Sequence, residues 1–250
     1  MANDSNQGFR RARSQFVILN AARTGSNYLC TLLNAHPDVL CHHEIFNPHV
    51  VGVARHLAKQ KISLGTIEER ERDPAEFLAR VWRERFGRSS TGFKLCWRQT
   101  DFAFRSVLSD NAVSKIVLKR RNRLRTFVSL LLARQTGEWV VYRDEPVPGD
   151  RPQVRIEVSE FIENVEFNRA YYSEIESTLR NTGQCALTLY YEDLAQSGSL
   201  RETFDFLRVV PRIVEGDTWK LSPVDLRRTI ANFDELHERL AGTEFEAELR

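Results

Sequence analysis

The chain has 250 residues, 42% apolar and 28% charged, enough for one substantial hydrophobic core in a soluble globular protein. Its 36 basic and 34 acidic residues leave a formal charge of only +2, which excludes the broad basic excess of a general nucleic-acid binder. No stretch reaches membrane-spanning length and residues 1–15, MANDSNQGFRRARSQ, have no apolar signal core behind them, so the expectation is a flexible segment 1–15 followed by one cytoplasmic domain over 16–250.

In chain order, FVILN at 16–20 is apolar without alternation, as suits an interior parallel strand. From Ser26 the spacing turns helical, with Tyr28, Leu29, Leu32 and Leu33 on one side, until His36-Pro37 stops it. VLCH at 39–42 reads as a short strand and HVVGVARHLAKQ at 49–60 as a helix weakened by Gly52. Asp73-Pro74 opens a helix that runs to Gly87. TGFKLCW at 91–97 and VSKIVLK at 113–119 are strands, separated by a helix over 100–110 capped by Thr100, and a long helix covers Arg123 to Arg134. Residues 137–157 carry three prolines and two glycines and look irregular, a length that marks a lid or binding loop. A long helix opening at Ser159, a strand CALTLYY at 185–191, and helices at 200–209 and 223–241 complete the chain. Strands alternating with helices predict an α/β three-layer sandwich around a mostly parallel sheet. The four cysteines, Cys30, Cys41, Cys96 and Cys185, form no CxxC pair and read as reduced thiols.

Between the first strand and its helix lies ARTGSN. In open parallel sheets ligands sit beyond the carboxyl ends of strands. Gly25 lets the backbone turn close to an anion, and the first helix amides are unpaired and point outward. Arg23 adds a charged fork, while Thr24, Ser26 and Asn27 add short polar groups, so the chemistry suits phosphate, sulfate or another oxyanion. Ser26 or Asn27 acting simply as a helix cap is the alternative. Neither GxxxxGK with Ser or Thr nor GxGxxG is present, which argues against the usual nucleotide loops. A second basic turn, KRRNRLR at 119–125, joins a strand to a helix, with Arg121 at the strand exit and Ser129 eight residues on. Arg120, Arg123 and Arg125 read equally well as a basic helix surface.

These motifs resemble the sulfotransferases that use 3'-phosphoadenosine 5'-phosphosulfate (PAPS). Arg23, Thr24, Gly25, Ser26, Asn27 and Tyr28 match the family's 5'-phosphosulfate loop, and Arg121 and Ser129 have the spacing of its 3'-phosphate motif. YYEDL at 190–194 is a recurrent segment of the family. The run RTGSNYLCTLLNAHPDVLCHHE is similar to the bacterial carbohydrate branch, of trehalose and nodulation-factor type, with weaker likeness at GFKLCW and WKLSPVDLRRTIANFDEL. The resemblance implies a P-loop-like nucleotide-binding architecture, PAPS as donor, adenosine 3',5'-bisphosphate as product, and a carbohydrate, glycolipid or related hydroxyl compound as acceptor. Many members place a lysine where this chain has Arg23. Lys220 is a candidate for a further nucleotide contact.

Transfer to an alcohol needs alignment, charge stabilisation and a proton acceptor. CHHEIFNP at 41–48 offers candidates: the resemblance implies Glu44, with His42 and His43 as alternatives. Histidine has the better unperturbed pKa, near 6.5 against about 4.3, and burial is expected to raise the glutamate. Consecutive strand residues face opposite ways and HExxH is absent, so no metal is expected. Lys94, Trp97, Gln99 and Asp101, with Gln135, Thr136 and Trp139 opposite, are candidates for lining the acceptor pocket. A small-molecule kinase, or a nucleotide-binding protein without turnover, is the competing expectation.

Overall fold

The computed structural model describes residues 13–97, 99–147, 149–221 and 225–249. Most of the segment 1–15 expected to be flexible therefore lies outside the described residues.

Strand β1 (Ser14–Asn20) leads through a tight loop into helix α1 (Ser26–Asn34), and β2 (Val39–His42) follows. Three short helices come next, α2 (Arg55–Lys59), α3 (Ile67–Arg72) and α4 (Pro74–Arg83). Then β3 (Ser90–Cys96), α5 (Asp101–Ser109), β4 (Val113–Lys119) and α6 (Arg123–Thr136) alternate. After an irregular stretch come α7 (Val158–Asn181), β5 (Ala186–Tyr190), a 3-10 turn (Tyr191–Asp193) and α8 (Ser197–Phe206). Helices α9 (Leu226–Thr229) and α10 (Phe233–Leu240) and a 3-10 turn (Glu246–Leu249) close the chain.

The five strands form one parallel sheet in the order β2-β3-β1-β4-β5. β1 is central because both its faces are apolar. Val17 and Leu19 pack into one cluster with Phe77, Val81, Val107 and Ile175 of α4, α5 and α7. Phe16 and Ile18 face the other way, onto Leu29 and Leu33 of α1 and Phe204 of α8. This is the three-layer α/β sandwich expected from the unbroken apolar run. A third cluster joins α6, the start of α7 and the C-terminal helices through Leu124, Phe127, Phe161 and Leu236.

Three local expectations need correcting. Residues 49–54 are not helical. Gly52 lies against the backbone of Glu44, where a Cβ would meet the Glu44 nitrogen at 2.9 Å, and its amide donates to the Glu44 carbonyl at 3.2 Å. The chain folds back at that point, and only Arg55–Lys59 winds into helix. Thr100 precedes α5 without a side-chain cap bond. The helix expected over 223–241 is two pieces, because Ile230 leaves helical geometry to bridge Val154, and residues 223 and 224 lie outside the described residues.

The sheet order reverses about β1: its neighbours are β3 on one side and β4 on the other, so the crevice at the carboxyl ends opens where the loop after β1 lies.

Candidate active site

The loop after β1 is uncapped. Gly25 takes the N-cap position of α1 in the left-handed region, at φ 88°, and no side chain caps the helix. Capping by Ser26 or Asn27 is therefore not what holds the turn. Arg23 is also left-handed, at φ 63°, a conformation that costs a non-glycine residue energy and persists only where surroundings enforce it. Gly25 is required for a second reason: a Cβ there would meet the Tyr191 ring at 2.2 Å, so the residue after β5 closes tightly over the loop. Thr24 is buried and ties its hydroxyl to the Ala21 carbonyl at 2.9 Å.

Arg23 turns inward. Its Nε donates to Ser129 Oγ at 3.0 Å and its Nη1 to the Trp139 carbonyl. Both partners are neutral. Burial above all, then the charges of Arg151 and Arg120, hold its guanidinium down at about 10. A guanidinium depressed by desolvation and by two like charges marks a place that an incoming anion would relieve. Arg120 supplies one of those charges: its Nη1 donates to the Arg23 carbonyl at 3.3 Å, it stacks 4.7 Å from the Tyr191 ring, and its buried Nε has no partner. Arg120 is therefore part of the loop's wall rather than basic helix surface.

The proposed 3'-phosphate pair is divided in this state. Ser129, buried in α6, meets Arg23. Arg121 is half exposed, forks onto Asp193 at 2.9 and 2.5 Å, and lies 4.2 Å over Tyr190. The amides at the start of α6 are also engaged: those of Arg121 and Asn122 by Glu192, that of Leu124 by Glu248, and that of Arg125 by the Asn122 side chain. A phosphate arriving there has side-chain cations to meet, and Arg121 must leave Asp193 to reach it.

The other half of the cluster lies beyond β2 and β3. Lys94, almost fully buried on β3, sends its Nζ to Glu44 Oε1 at 2.9 Å, to Asn27 Oδ1 at 2.6 Å and toward Ser26 Oγ at 3.5 Å. One ammonium thus links the loop after β1 to the carboxylate after β2. Glu44 also accepts from Asn47 Nδ2 at 2.9 Å and Gln99 Nε2 at 2.5 Å. Its turn is braced from below by buried Arg70, which donates to the carbonyls of Ile45 at 2.9 Å and Asn47 at 2.7 Å. Burial pushes the Glu44 carboxyl up, but the charge of Lys94 and the bonds from Lys94, Asn47 and Gln99 outweigh it and hold the group below the usual carboxylate range. The expected upward shift is not observed in this state. His43 and His42 are both held down to about 3, mainly by burial, so both imidazoles are neutral at physiological pH. His42 is turned away, its Nδ1 accepting the Ala54 amide at 3.2 Å. His43 Nε2 lies 3.4 Å from the Tyr142 hydroxyl.

Of the acceptor candidates, Lys94 and Gln99 join Glu44 directly, and Trp139 adjoins Arg23 through its backbone. Trp97 packs its ring 3.6 Å from that of Phe167 and 6.3 Å from that of Tyr171 on α7, a packing role. Asp101 is exposed in the first turn of α5, and Thr136 bonds back to the Leu132 carbonyl at 2.9 Å. Gln135 is exposed and lines a groove with Arg134, Gln153 and Arg155 that shares no residue with the Glu44 cluster. Lys220 is exposed beside Trp219. A cavity of about 360 Å³ flanks the loop on the α7 side, walled by Thr24, Arg120, Arg121 and Tyr172 but not by Glu44 or Lys94.

Arg120, Arg70 and Tyr142 escape a reading of the sequence alone. Arg120 sits in a basic run that does not say which member turns inward, and Arg70 sits in the charged stretch EERER with nothing to mark it as buried.

No family model matches the chain. In sequence it is similar to Nodulation protein H of Rhizobium tropici, 26% identical over 240 residues that span 91% of this chain and 89% of that protein. Among solved structures it is similar to a sulfotransferase from Alicyclobacillus acidocaldarius, with a TM-score of 0.46 and 17% identity over 95% of this chain and 94% of that one. It is also similar to a mouse sulfotransferase complexed with PAP, with a TM-score of 0.40 and 13% identity over 90% of this chain and 66% of that one.

Proposed function

We infer that the chain is a PAPS-dependent sulfotransferase that transfers a sulfuryl group to a hydroxyl of a small molecule. The observation that carries this is the convergence, at the carboxyl ends of parallel strands, of an uncapped loop, a buried arginine hemmed by like charges, and a buried lysine shared between that loop and a carboxylate. Kinship with Nodulation protein H along nearly the whole chain supports the same conclusion.

The free amides at the start of α1, with Ser26 and Asn27, hold the 5'-phosphosulfate of the donor. Tyr28, Thr24 and Gly25 shape that loop. Arg23 and Arg120 take up the charge that grows on the leaving phosphate as the bond from sulfur to the bridging oxygen breaks. Arg121 and Ser129 serve the 3'-phosphate, Arg121 by exchanging Asp193 for it. Lys220 is a further donor contact.

Glu44 is the base. In the free state Lys94 holds it ionised. A sulfuryl group seated on the loop competes for the same ammonium. As Lys94 turns toward sulfuryl oxygens, Glu44 loses its strongest stabilising charge while its burial remains, and its proton affinity rises when the acceptor hydroxyl arrives. The acceptor oxygen then forms its bond to sulfur, the proton passes to Glu44, and adenosine 3',5'-bisphosphate leaves. Asn47 and Gln99 keep the carboxylate oriented once Lys94 has turned, and neutral His43 lies beside it as a hydrogen-bonding group.

The acceptor is a carbohydrate or glycolipid, with Trp139 and the irregular stretch around it at the mouth. The protein acts as one domain over 16–250 in the cytoplasm, where its free cysteines stay reduced. Among the described residues no helix is long and apolar enough to cross a membrane. The test is transfer of ³⁵S from labelled PAPS to a panel of sugars, glycolipids and simple alcohols. Label in a hydroxyl product, lost in Arg23→Ala, supports the reading. Donor hydrolysis alone, or phosphate transfer from ATP, refutes it.

A further inference from the structure

The irregular stretch after α6 folds back as a strap. Tyr142 bridges Thr218 antiparallel, the Trp219 amide donates to the Val141 carbonyl at 2.9 Å, and the Arg143 amide to the Asp217 carbonyl at 3.1 Å. Two segments without regular structure of their own thus hold each other. The strap touches both halves of the site, at Arg23 through the Trp139 carbonyl and at His43 through the Tyr142 hydroxyl.

Two side chains of α2 reach it: Lys59 bonds Asp144 of the strap at 2.6 Å, and Arg55 makes the wider set of contacts. Arg55 of α2 lies 3.7 Å over the Tyr142 ring. It also bonds Asp144 of the strap at 2.5 and 3.1 Å, and Asp217 of the returning segment at 3.3 Å. A planar guanidinium that stacks on a ring while bonded to two carboxylates sets the plane of that ring.

Sulfuryl transfer as described leaves Tyr142 unused. Burial raises its phenol to about 12, so it keeps its proton and acts as a donor. Neutral His43 offers an acceptor nitrogen. At 3.4 Å their contact is longer than a good O–H···N bond, and both groups keep capacity for another partner. A hydroxyl can accept from the phenol and donate to the imidazole at once. Glu44, the proposed proton acceptor, is the next residue after His43.

We propose that Tyr142, held in place by Arg55, determines acceptor specificity: its hydroxyl and His43 Nε2 together grip a second hydroxyl of the acceptor while the reacting hydroxyl faces Glu44. The substrate class is therefore a polyol with neighbouring hydroxyls rather than a lone alcohol. This rests on the sulfotransferase reading and extends it.

The experiment compares the parent with Tyr142→Phe, Arg55→Met and Arg55→Lys. Binding of adenosine 3',5'-bisphosphate is followed by thermal shift, and ³⁵S transfer is measured to methyl glucoside and to cyclohexanol. The parent should prefer the glucoside. Tyr142→Phe should raise KM for the glucoside about five- to tenfold, the worth of one hydrogen bond, with kcat within about twofold and nucleotide binding unchanged. Arg55→Met should do the same, and Arg55→Lys should recover part of the loss. A parent that prefers cyclohexanol, or a Tyr142→Phe enzyme with unaltered KM, overturns the proposal and leaves the sulfotransferase reading standing. A parent that neither binds the bisphosphate nor transfers label overturns both.

Discussion

Replacing Lys94 with methionine removes the ammonium that joins Glu44 to the anion loop and keeps the volume of the stem. Breaking a buried ion pair by deleting one partner costs about 3–5 kcal/mol. Glu44 keeps a quarter of its side chain exposed and retains its bonds from Asn47 and Gln99, so the lower end applies, about 3 kcal/mol. For a chain of this size that is a fall in Tm of roughly 5–10 °C. The effect carries a pH signature. In the parent the Glu44 carboxyl is depressed, so its contribution is present above the unfolded value and fades as pH falls through the lower folded value. Without Lys94 burial dominates, the folded pKa rises, and the penalty of an unpaired carboxylate disappears as the medium turns acid. The gap in Tm between parent and variant should be widest at pH 7–8 and narrow toward pH 4–5. Scanning fluorimetry across that range measures it. In Glu44→Gln/Lys94→Met much of the loss should return, because no charge is left stranded. A Tm gap that is absent at neutral pH, or that ignores pH, would refute this account of the pair.

Glu44→Gln should lower kcat by about 10²- to 10⁴-fold, the span of a lost general base, and leave bisphosphate affinity unchanged by calorimetry. Gly25→Ala forces a Cβ into the Tyr191 ring at a φ that alanine adopts poorly, and should weaken nucleotide binding at least tenfold in the same titration. Asp193→Asn frees Arg121 from a solvent-screened surface pair, so it should tighten bisphosphate binding up to about fivefold; an unchanged Kd would show that Arg121 does not turn to the nucleotide.

Much of this architecture is legible in the amino-acid order. The unbroken run FVILN predicts a central strand covered on both faces, and Val17 and Phe16 do face opposite cores. The loop after it carries its own signal in Gly25. What is not legible is pairing across distance. Glu44, Lys94 and Gln99 are scattered over fifty-five positions and meet only because β2 and β3 are neighbours, an adjacency that no local pattern announces. The upward shift expected of Glu44 fails for the same reason: burial acts as expected, but the buried cation beside it comes from another strand. The apolar spacing of 49–60 looks helical, yet the closeness of Gly52 to the Glu44 backbone is a tertiary constraint that overrides it. Helix α3 is overlooked because IEERER has little apolar face, although Thr66 and Glu69 spell a capping box before it.

The measurement that bears most directly on the two strand exits sharing one nucleotide is a calorimetric titration of the full chain with adenosine 3',5'-bisphosphate and, separately, with ADP. The account predicts one site, tight for the bisphosphate and at least tenfold weaker for ADP, with the preference abolished in Arg121→Ala. Equal affinity for the two nucleotides, or a preference for ADP, would contradict it.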